Sequence, residues 1–274
     1  MSLPCTPIVY AHLMPLSQDD REQYRREGFA MARGLIDPGT LKRIDAHFVA
    51  LVAGEAATSE HMVIMKDVEY VSGDATAASP LHEVNKLLSF EDDPLLWSFA
   101  TDARLLECVR DLVGPELKTL STNVFNKPPG VDSRHPLHQD LRYFAIRPAD
   151  GIVATWTAID PCTRENGCLS VIPGSHRGEL AEHGDPDWER INFGFFAAKG
   201  VDIEARVHVE MEPGDTLFFH PLLLHGSGRN RSRGFRRSIS VHYASIDCQR
   251  PQEMEGQRKK TRRIEARVKR IPSG

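Results

Sequence analysis

Two histidines and an aspartate occur in the stretch HPLHQDLRYF, residues 135–144. On an extended segment, His138 and Asp140 point to the same face because side chains alternate along a strand. That face can present one imidazole and one carboxylate to a single metal ion. Two histidines and one carboxylate, with three positions left open, form the facial triad of non-haem Fe(II) sites. The motif therefore predicts two of the three protein ligands of such a site.

A His-x-Asp motif alone is weak evidence, because a chain with 12 histidines is expected to contain one by chance. This chain contains a second one, His183-Gly184-Asp185, in the polar segment AEHGDPDWE. Its glycine and prolines indicate a surface loop. The first motif has the better context, since it follows the turn-rich NKPPGVDSRHP and leads into a strand pattern.

A third ligand has to come from elsewhere, and the candidates are His220, His225 and His242. His225 ends the apolar stretch LFFHPLLLH and precedes a Gly-Ser-Gly turn. A strand end that faces a loop is a suitable place for a metal ligand. His220 lies beside a proline among apolar residues, which also fits a histidine of the core or its rim.

One arginine could bind a small anion near this site. In GFRRSISVHY, Arg236, Ser238, Ser240 and His242 share one face of an extended strand, and that face is polar. Arginine binds a carboxylate through two parallel hydrogen bonds, which fixes the orientation of the ligand. The alternative is that Arg236 is an ordinary surface arginine of a strand, like its neighbour Arg237.

The elements that would position these residues fall into two groups. The first third is predicted to be largely helical, with Ser17 as an N-cap and a short strand at FAMARGLI. It contains the helical stretches PLSQDDREQYRREGF, DPGTLKRIDAHFVALVAGE and PLLWSFATDARLLECVRDLVG. From about residue 118, short segments rich in Val, Ile, Thr and Phe alternate with turns, which predicts a β-sandwich or barrel. We expect a mainly β fold in one domain, with flanking helices packed on one side of the β core.

The predicted boundaries within this single domain, residues 1–274, are a helical part at about 18–117, a β core at about 118–248 and a basic tail at 249–274. The tail contains QRKKTRRIEARVKR, which is typical of a solvated helix surface. A contact with an anionic group, such as a CoA phosphate or nucleic acid, is the alternative.

The overall composition excludes several classes of protein. The chain has 274 residues, 41% of them apolar, and a net charge of -4, so it is not built to coat nucleic acid or an anionic membrane. It has no apolar stretch long enough for a membrane span. Its five scattered cysteines predict no disulfide framework and fit a reducing compartment. With no signal peptide or SKL-type ending, we expect a cytoplasmic protein, and a peroxisomal location remains an alternative.

Longer motifs resemble a known family. RHPLHQDLRYFAIRP, TWTAID, ENGCLSVIPGSHRG and MEPGDTLFFHPLLLHGSGRNRSRGFRRSISVHYAS are similar to the phytanoyl-CoA dioxygenase family, over about residues 18–248. Members of this family are Fe(II)- and 2-oxoglutarate-dependent oxygenases with a double-stranded β-helix (jelly-roll, cupin-like) core. Within the family the likeness is strongest to the enzymes that act on phytanoyl-CoA.

The resemblance implies His138, Asp140 and His225 as iron ligands and Arg236 as the partner of the distal carboxylate of 2-oxoglutarate. It further implies cosubstrate-pocket roles for four residues: Lys86, Gln139, Trp156 and Ser227. Asn123 departs from the family, which often has an apolar residue there. The implied reaction is hydroxylation of an acyl-CoA at C2, consuming O2 and 2-oxoglutarate and releasing succinate and CO2. Ascorbate is a candidate reductant, and the oligomeric state is not predicted.

Three alternatives differ in substrate or chemistry. The same oxygenase chemistry could act on another small molecule, such as a secondary metabolite. The scaffold could be a non-catalytic binding module, although an intact triad with Arg236 argues against this. A zinc hydrolase on a β-barrel would have no need for Arg236 after the third ligand. Halogenation is disfavoured, because halogenases of this type replace the aspartate that is present here as Asp140.

Overall fold

The computed structural model describes residues 16–73, 76–189, 191–192, 194–251 and 262–264, the last three by their backbone only. The helices of this part of the chain are α1 (Gln18–Glu27), α2 (Pro38–Ala53), α3 (Val68–Val71), α4 (Pro80–Glu83), α5 (Pro94–Ala100) and α6 (Ala103–Val113). Its strands are β1 (Phe29–Ala32), β2 (Val63–Lys66), β3 (Val84–Leu88), β4 (Leu117–Lys127), β5 (His135–His138), β6 (Ile152–Ala158), β7 (Leu169–Val171), β8 (His183–Gly184), β9 (Ala197–Ala198), β10 (Val207–Val209), β11 (Thr216–Phe219), β12 (His225–Ser227), β13 (Arg236–Ser245) and β14 (Arg262–Ile264).

Local sequence signals account for the ends of the longer helices. The Ser17 side chain accepts a hydrogen bond from the Asp20 backbone N–H, while the Asp20 carboxylate accepts one from Ser17 in return. This reciprocal capping box satisfies two backbone donors that the first turn leaves without partners. Helix α2 starts after Asp37, which caps it, and ends at Gly54 in the left-handed region. The predicted cap at Ser17 and the predicted end of α2 at a glycine are confirmed.

Twelve of the fourteen strands of the described residues form two facing antiparallel sheets, and β8 and β9 form a separate pair. The larger sheet has the order β1-β11-β6-β13-β4-β3-β2, with β14 also paired to β4. The smaller sheet has the order β10-β7-β12-β5. The chain crosses repeatedly from one sheet to the other, with β4, β6, β11 and β13 in the larger and β5, β7, β10 and β12 in the smaller. This alternation is the arrangement of a double-stranded β-helix, or jelly roll.

The larger sheet separates two apolar layers. Ile239, Val241 and Tyr243 of β13 point to one face and pack with the helices in the main core. Trp156 and Leu217 point to the other face, where they pack against β7 and β10 of the smaller sheet. The helices therefore cover one face of the larger sheet, as predicted, and leave the space between the sheets for the polar residues of β5, β12 and β13.

Three details of the predicted elements were wrong. The stretch PLLWSFATDARLLECVRDLVG forms two helices, because Asp102 accepts a hydrogen bond from the Arg104 backbone N–H and starts α6 afresh. The predicted short strand at FAMARGLI is present as β1, but the first third is less helical than predicted, since β2 and β3 also lie within it and join the larger sheet. In the basic tail, Arg262–Ile264 is a strand beside β4 rather than a helix. The rest of the tail beyond residue 251 lies outside the described residues.

Candidate active site

A pair of neighbouring strands brings together the two histidines predicted as metal ligands. Strands β5 and β12 are antiparallel, and His138 lies directly opposite His225. Their ring centroids are 4.2 Å apart. Asp140 begins a short 3-10 helix just after β5, so its carboxylate turns back toward both rings. Its Oδ1 lies 3.2 Å from His138 Nε2 and 3.6 Å from His225 Nε2.

Backbone carbonyl groups set the tautomers of the two imidazoles. His138 Nδ1 lies 2.8 Å from the Pro136 carbonyl oxygen, and His225 Nδ1 lies 2.9 Å from that of Leu223. A carbonyl only accepts, so each Nδ1 carries the proton and donates it, which leaves each Nε2 with a lone pair. These lone pairs and the carboxylate face one another across a buried space, an arrangement that calls for a cation between them.

The residues present fit a divalent metal ion. One ligand atom from each of His138, Asp140 and His225 lies within 4.8 Å of the others, and all three residues are buried. Hydrogen bonds from the far nitrogen of a ligating histidine to backbone carbonyls are the usual way in which proteins orient such ligands. Two imidazoles with one carboxylate are the donor set of the non-haem iron facial triad.

His242 holds the carboxylate rather than ligating a metal. Its Nε2 lies 2.7 Å from Asp140 Oδ2, the oxygen turned away from His138 and His225. The pKa of Asp140 reflects this surrounding. Burial alone would raise it, but the electrostatic influence of the neighbouring His225 and His242 imidazoles and the hydrogen bond from His242 hold it well below its usual range. Asp140 is therefore ionised at neutral pH.

His220 is the candidate third ligand that the fold excludes. Its Nε2 lies 3.1 Å from the exposed carboxylate of Asp150, and its Nδ1 accepts a hydrogen bond from the Leu222 backbone N–H. Both ring nitrogens are therefore engaged away from the triad. Of the three candidates that the spacing left open, His225 is the one that joins His138 and Asp140 in a cluster among the described residues.

A pocket lies beside the triad, between the two sheets. His138, Asp140 and His225 lie in its wall together with Arg236 and Trp156. Apolar side chains complete the wall, namely Phe125, Leu169, Phe195 and Phe219. Such a wall keeps water from a ligand held near the triad.

Arg236 supplies a buried positive charge to this pocket. Its side chain is only 2% exposed, and its Cζ lies 5.3 Å from the centre of the Trp156 ring. Nη1 donates a hydrogen bond to Ser238 Oγ at 3.2 Å, but Nε is buried without a partner. No carboxylate among the described residues forms an ion pair with Arg236. A buried guanidinium in that state calls for an anion from outside the chain.

The neighbour of Arg236 confirms that the two faces of β13 differ. Arg237 points to the opposite face, where its guanidinium forms ion pairs with Asp45 and with Asp160. The prediction that Arg236, Ser238, Ser240 and His242 share a polar face is therefore confirmed. The alternative, in which Arg236 is a surface arginine like Arg237, is wrong.

A second buried basic side chain lies next to Arg236. Lys127 is opposite Arg236 on β4, and its Nζ donates hydrogen bonds to the carbonyls of Ser133 at 2.5 Å and Gly228 at 2.6 Å. Burial, followed by repulsion from Arg236, holds the pKa of Lys127 well below its usual range. The positive charge at this end of the pocket is therefore mainly that of Arg236.

The four further residues predicted for the cosubstrate pocket separate into two pairs. Trp156 and Ser227 lie in the pocket wall. Gln139 points away from it, since its amide bonds to the carbonyls of Glu179 and Leu222 and to the N–H of Ala181. Lys86 lies behind the wall, with Nζ 5.0 Å from the centre of the Phe195 ring. Asn123 bonds to Ser121 and is not part of the wall either.

The second His-x-Asp motif lies closer to the site than a plain surface loop would. His183 belongs to β8, which pairs with β9, and its Nε2 accepts a hydrogen bond from the Gln139 backbone N–H at 3.1 Å. Asp185 is exposed. The prediction of a surface loop therefore holds for Asp185 and is wrong for His183, which supports the turn between the two predicted ligands on either side of Gln139.

The pocket residues that the sequence did not predict include Lys127, His135 and Phe195. Lys127 follows the alternation of β4, on the same face as Phe125, so its inward direction could have been predicted. The His135 ring stacks between His138 and Phe195, with both centroid distances 4.0 Å. Phe195 comes from a connection with no periodic pattern, and no sequence signal pointed to it.

Comparison with known proteins identifies the family. A family model described as phytanoyl-CoA dioxygenase (PhyH) matches residues 24–238, well over half of the chain. The chain belongs to the phytanoyl-CoA dioxygenase family. The matched segment contains the His138–Asp140–His225 cluster and Arg236, and the predicted family is confirmed.

Named relatives are similar over most of their length. The probable phytanoyl-CoA dioxygenase of Caenorhabditis elegans is 39% identical over 254 residues, which cover 90% of this chain and 81% of that protein. The peroxisomal phytanoyl-CoA dioxygenases of Bos taurus and Homo sapiens are 40% and 39% identical over 238 residues, covering 85% of this chain and 70% of each relative. This chain is an enzyme of the same type.

Solved structures share the fold at lower identity. The epimerase SnoN, in complex with Fe3+, α-ketoglutarate and nogalamycin RO, has a TM-score of 0.65 at 22% identity and covers 85% of this chain and 86% of its own. EctD from S. alaskensis with bound Fe has a TM-score of 0.67 at 19% identity, covering 86% and 79%. The likeness confirms the jelly-roll core with flanking helices.

None of the helices in the described ranges combines the length and the apolar character that crossing a membrane requires.

Proposed function

We propose that this protein is an Fe(II)- and 2-oxoglutarate-dependent dioxygenase that hydroxylates an acyl-CoA, of the phytanoyl-CoA kind, at C2. One observation carries the proposal. A single pocket contains the buried His138–Asp140–His225 cluster and the guanidinium of Arg236, which has no carboxylate partner among the described residues. The cluster suits a divalent metal, and the guanidinium suits the far end of a dicarboxylate.

The residues divide the work of such a reaction. His138, Asp140 and His225 would hold Fe(II), which when bound supplies the redox chemistry that couples oxidation of a 2-oxo acid to hydroxylation. Through its hydrogen bond at 2.7 Å, His242 keeps the other oxygen of the Asp140 carboxylate turned toward the two histidines. The backbone carbonyls of Pro136 and Leu223 keep the two Nε2 atoms free of protons.

Arg236 would bind the distal carboxylate of 2-oxoglutarate. A guanidinium can donate two parallel hydrogen bonds to a carboxylate, and a buried charge-assisted pair is far stronger than an exposed one. Trp156 lies against the guanidinium and limits its movement. Ser227 is in the same wall and can donate a further hydrogen bond. Lys86 and Gln139 remain predicted cosubstrate residues on the family resemblance alone.

The overall reaction balances in simple terms. The acyl-CoA, 2-oxoglutarate and O2 give a 2-hydroxyacyl-CoA, succinate and CO2, with one oxygen atom entering each organic product. The relatives at about 40% identity are phytanoyl-CoA dioxygenases, which supports an acyl-CoA as the substrate. Ascorbate would keep the metal reduced between turnovers. The domain is proposed to be a single oxygenase unit over residues 1–274.

The cellular location is a separate part of the proposal. The sequence predicts a cytoplasmic protein, whereas the bovine and human relatives are named peroxisomal. We retain the cytoplasm as the proposed location, with the peroxisome as the alternative. Fractionation of cells that express the natural protein distinguishes the two, because a peroxisomal enzyme sediments with intact organelles and a cytoplasmic one stays in the supernatant.

The direct test uses phytanoyl-CoA that carries deuterium at C2. Incubated with Fe(II), 2-oxoglutarate and air, the enzyme is expected to give an acyl-CoA that has gained one oxygen and lost one deuterium, as read by mass spectrometry. Retention of all deuterium in an oxygenated product would move the site of hydroxylation. Succinate release with no oxygenated acyl-CoA would contradict the substrate and favour the same chemistry on another small molecule.

A further inference from the structure

A second cavity lies on the opposite face of the smaller sheet from the triad. Side chains alternate along β7, so that Leu169 faces the metal-site pocket while Ser170 lines the second cavity. On β10, likewise, Val209 packs into the core between the sheets and His208 lines the second cavity. This outer groove, of about 890 Å³, is bounded on its other side by β9 and the segments around Trp188 and Ile203.

The groove is strongly cationic although the chain as a whole has a net charge of -4. Its lining contains a single acidic residue, Asp187. Against it stand five arginines: Arg134, Arg164, Arg206, Arg229 and Arg231. Arg134 and Arg229 both pair with the carboxylate of Asp132. Arginine is the side chain best suited to phosphate, which it binds through two parallel hydrogen bonds.

Three of the five guanidinium groups, those of Arg164, Arg206 and Arg231, form no ion pair among the described residues. Glu204 and Glu210 lie near Arg164 and Arg206, and Glu210 accepts a hydrogen bond from the Arg164 backbone N–H at 2.9 Å. The pKa of His208 is lowered by burial and then by the charges of Arg164 and Arg206, which places both cations around one point of the groove.

The groove also offers a flat aromatic surface. The indole of Trp188 lines it, and the Arg134 guanidinium lies 4.3 Å from the indole ring centre. Rings of this kind stack well on nucleic-acid bases and on other planar groups. Clustered arginines beside an aromatic ring are the combination that recognises a nucleotide carrying several phosphates.

We propose that this groove binds the phosphorylated nucleotide end of the acyl-CoA, with the diphosphate and the 3′-phosphate on Arg164, Arg206 and Arg231 and the adenine near Trp188. The proposal rests on the proposed function, in that it takes an acyl-CoA as the substrate. Coenzyme A is the one part of that substrate with several negative charges. The basic tail beyond residue 251 is not required for this role.

The position of the groove is consistent with a thioester that reaches the metal-site pocket. His135, Gly226 and Ser227 line both cavities, because the end of the sheet formed by β5 and β12 separates them. Coenzyme A carries a long, flexible pantetheine arm between its nucleotide and its sulfur. An acyl-CoA can therefore keep its phosphates in the groove while the arm passes this end of the sheet.

The test is a pair of charge-matched double variants of the full chain. Arg206→Gln with Arg231→Gln removes two groove cations, while Lys42→Gln with Arg43→Gln removes two exposed cations of α2, on the helical side of the larger sheet. Binding of free coenzyme A and of 3′-dephospho-coenzyme A is measured by calorimetry. The groove variant is expected to weaken coenzyme A binding roughly tenfold or more, and the α2 variant to leave it unchanged.

Turnover provides an independent readout. The groove variant is expected to lose activity on phytanoyl-CoA and to keep activity on phytanoyl-pantetheine, which has no phosphates. Equal weakening in both double variants would overturn the proposal, because it would show general electrostatics. Unchanged coenzyme A binding in the groove variant would also overturn the proposal. The same holds if pyrophosphate binds as tightly as coenzyme A. Hydroxylation of phytanoyl-CoA by a protein that binds no coenzyme A would overturn the groove and leave the proposed oxygenase intact.

Discussion

At the scale of single residues, the candidate site depends on hydrogen bonds that decide which nitrogen and oxygen atoms remain free to bind a metal ion. His138 and His225 each donate a hydrogen bond from Nδ1 to a backbone carbonyl, and His242 is hydrogen-bonded to the outer oxygen of Asp140. Three lone pairs are left facing one point. Loss of any one group removes a ligand, but only loss of Asp140 removes the negative charge that a divalent cation needs.

Asp140→Ala is therefore expected to abolish metal binding and turnover with little loss of folding. Isothermal titration with Fe(II) or Mn(II) under anaerobic conditions measures the first, and succinate release the second. The matched control is Asp185→Ala, which removes the carboxylate of the other His-x-Asp motif at an exposed position. Full activity in the Asp140 variant would remove this residue from the ligand set.

Arg236→Gln is expected to raise the KM for 2-oxoglutarate by roughly tenfold to a hundredfold, because a charge-assisted hydrogen bond contributes about 1.5–3 kcal/mol. Steady-state kinetics at varied 2-oxoglutarate measures this. Arg237→Gln is the control on the same strand. It should lower the free energy of unfolding, through its pairs with Asp45 and Asp160, and leave the KM unchanged. The reverse pattern would mean that Arg236 has only a structural role.

The metal-free protein is expected to lose stability as the pH falls from 7 to 5. Burial lowers the pKa of His225 from its ordinary 6.5 to about 4, opposed only in part by Asp140. The unfolded chain takes up this proton below about pH 6.5 and the folded chain does not, so His225 alone costs about 2 kcal/mol at pH 5. Denaturant midpoints should fall less in His225→Gln than in the unchanged protein. An equal fall in both would contradict a neutral, buried His225.

The sequence predicted which residues belong to the site better than it predicted where their side chains point. His138 and Asp140 could be found from a two-residue spacing and its turn-rich context. The third ligand could not be chosen by spacing, since His220, His225 and His242 differ only in which strands pair across the barrel. Gln139 shows that residue position alone does not give the direction of a side chain. A shift of one position along the chain is enough to turn a side chain away from the pocket and toward the loop behind it.

At the scale of elements, the site depends on how closely β5 and β12 approach each other. Gly226 lies where the register between these strands shifts, between His225 and Ser227. A Cβ atom at Gly226 would come within 2.8 Å of the His135 carbonyl oxygen and 3.0 Å of the Leu137 nitrogen. Glycine is needed here for the close contact between two backbones, not for an unusual backbone angle.

Gly226→Ala is expected to push β12 away from β5, which separates His225 from His138. We expect a loss of about 1–3 kcal/mol in the free energy of unfolding, together with weaker metal binding. Gly228→Ala is the control, because a Cβ atom there meets nothing within 4 Å. Denaturant unfolding and metal titration of both variants check this. Unchanged metal affinity in Gly226→Ala would show that β5 and β12 accommodate the added Cβ atom without separating the two histidines.

Elements were predicted from the sequence where a single periodic pattern filled the segment. Strands β4, β6 and β13 followed from their Val, Ile, Thr and Phe content, and α2 from its spacing and caps. The break between α5 and α6 was missed, because apolar residues lie on both sides of Thr101 and Asp102, where Asp102 caps the start of a second helix. Strands β2 and β3 were missed because the pairing of β2 with β3 and of β3 with β4, rather than local propensity, makes them extended.

At the scale of the whole molecule, charge is distributed very unevenly. An acidic chain places two buried basic side chains, Lys127 and Arg236, at one end of the metal-site pocket and five arginines around the outer groove. The helices on the far face of the larger sheet contribute none of these groups. These seven side chains lie where a dicarboxylate and a polyphosphate would meet the protein on either side of β5 and β12.

The central claim is that one pocket binds Fe(II) and 2-oxoglutarate and couples their chemistry to an acyl-CoA. The most direct measurement is succinate release by anaerobically Fe(II)-loaded protein when oxygen is admitted, with and without phytanoyl-CoA. We predict that phytanoyl-CoA strongly stimulates succinate release and that one 2-hydroxyacyl-CoA forms for each succinate. No succinate from protein that has bound Fe(II) and 2-oxoglutarate, whether or not phytanoyl-CoA is present, would contradict the claim and indicate a non-catalytic binding module.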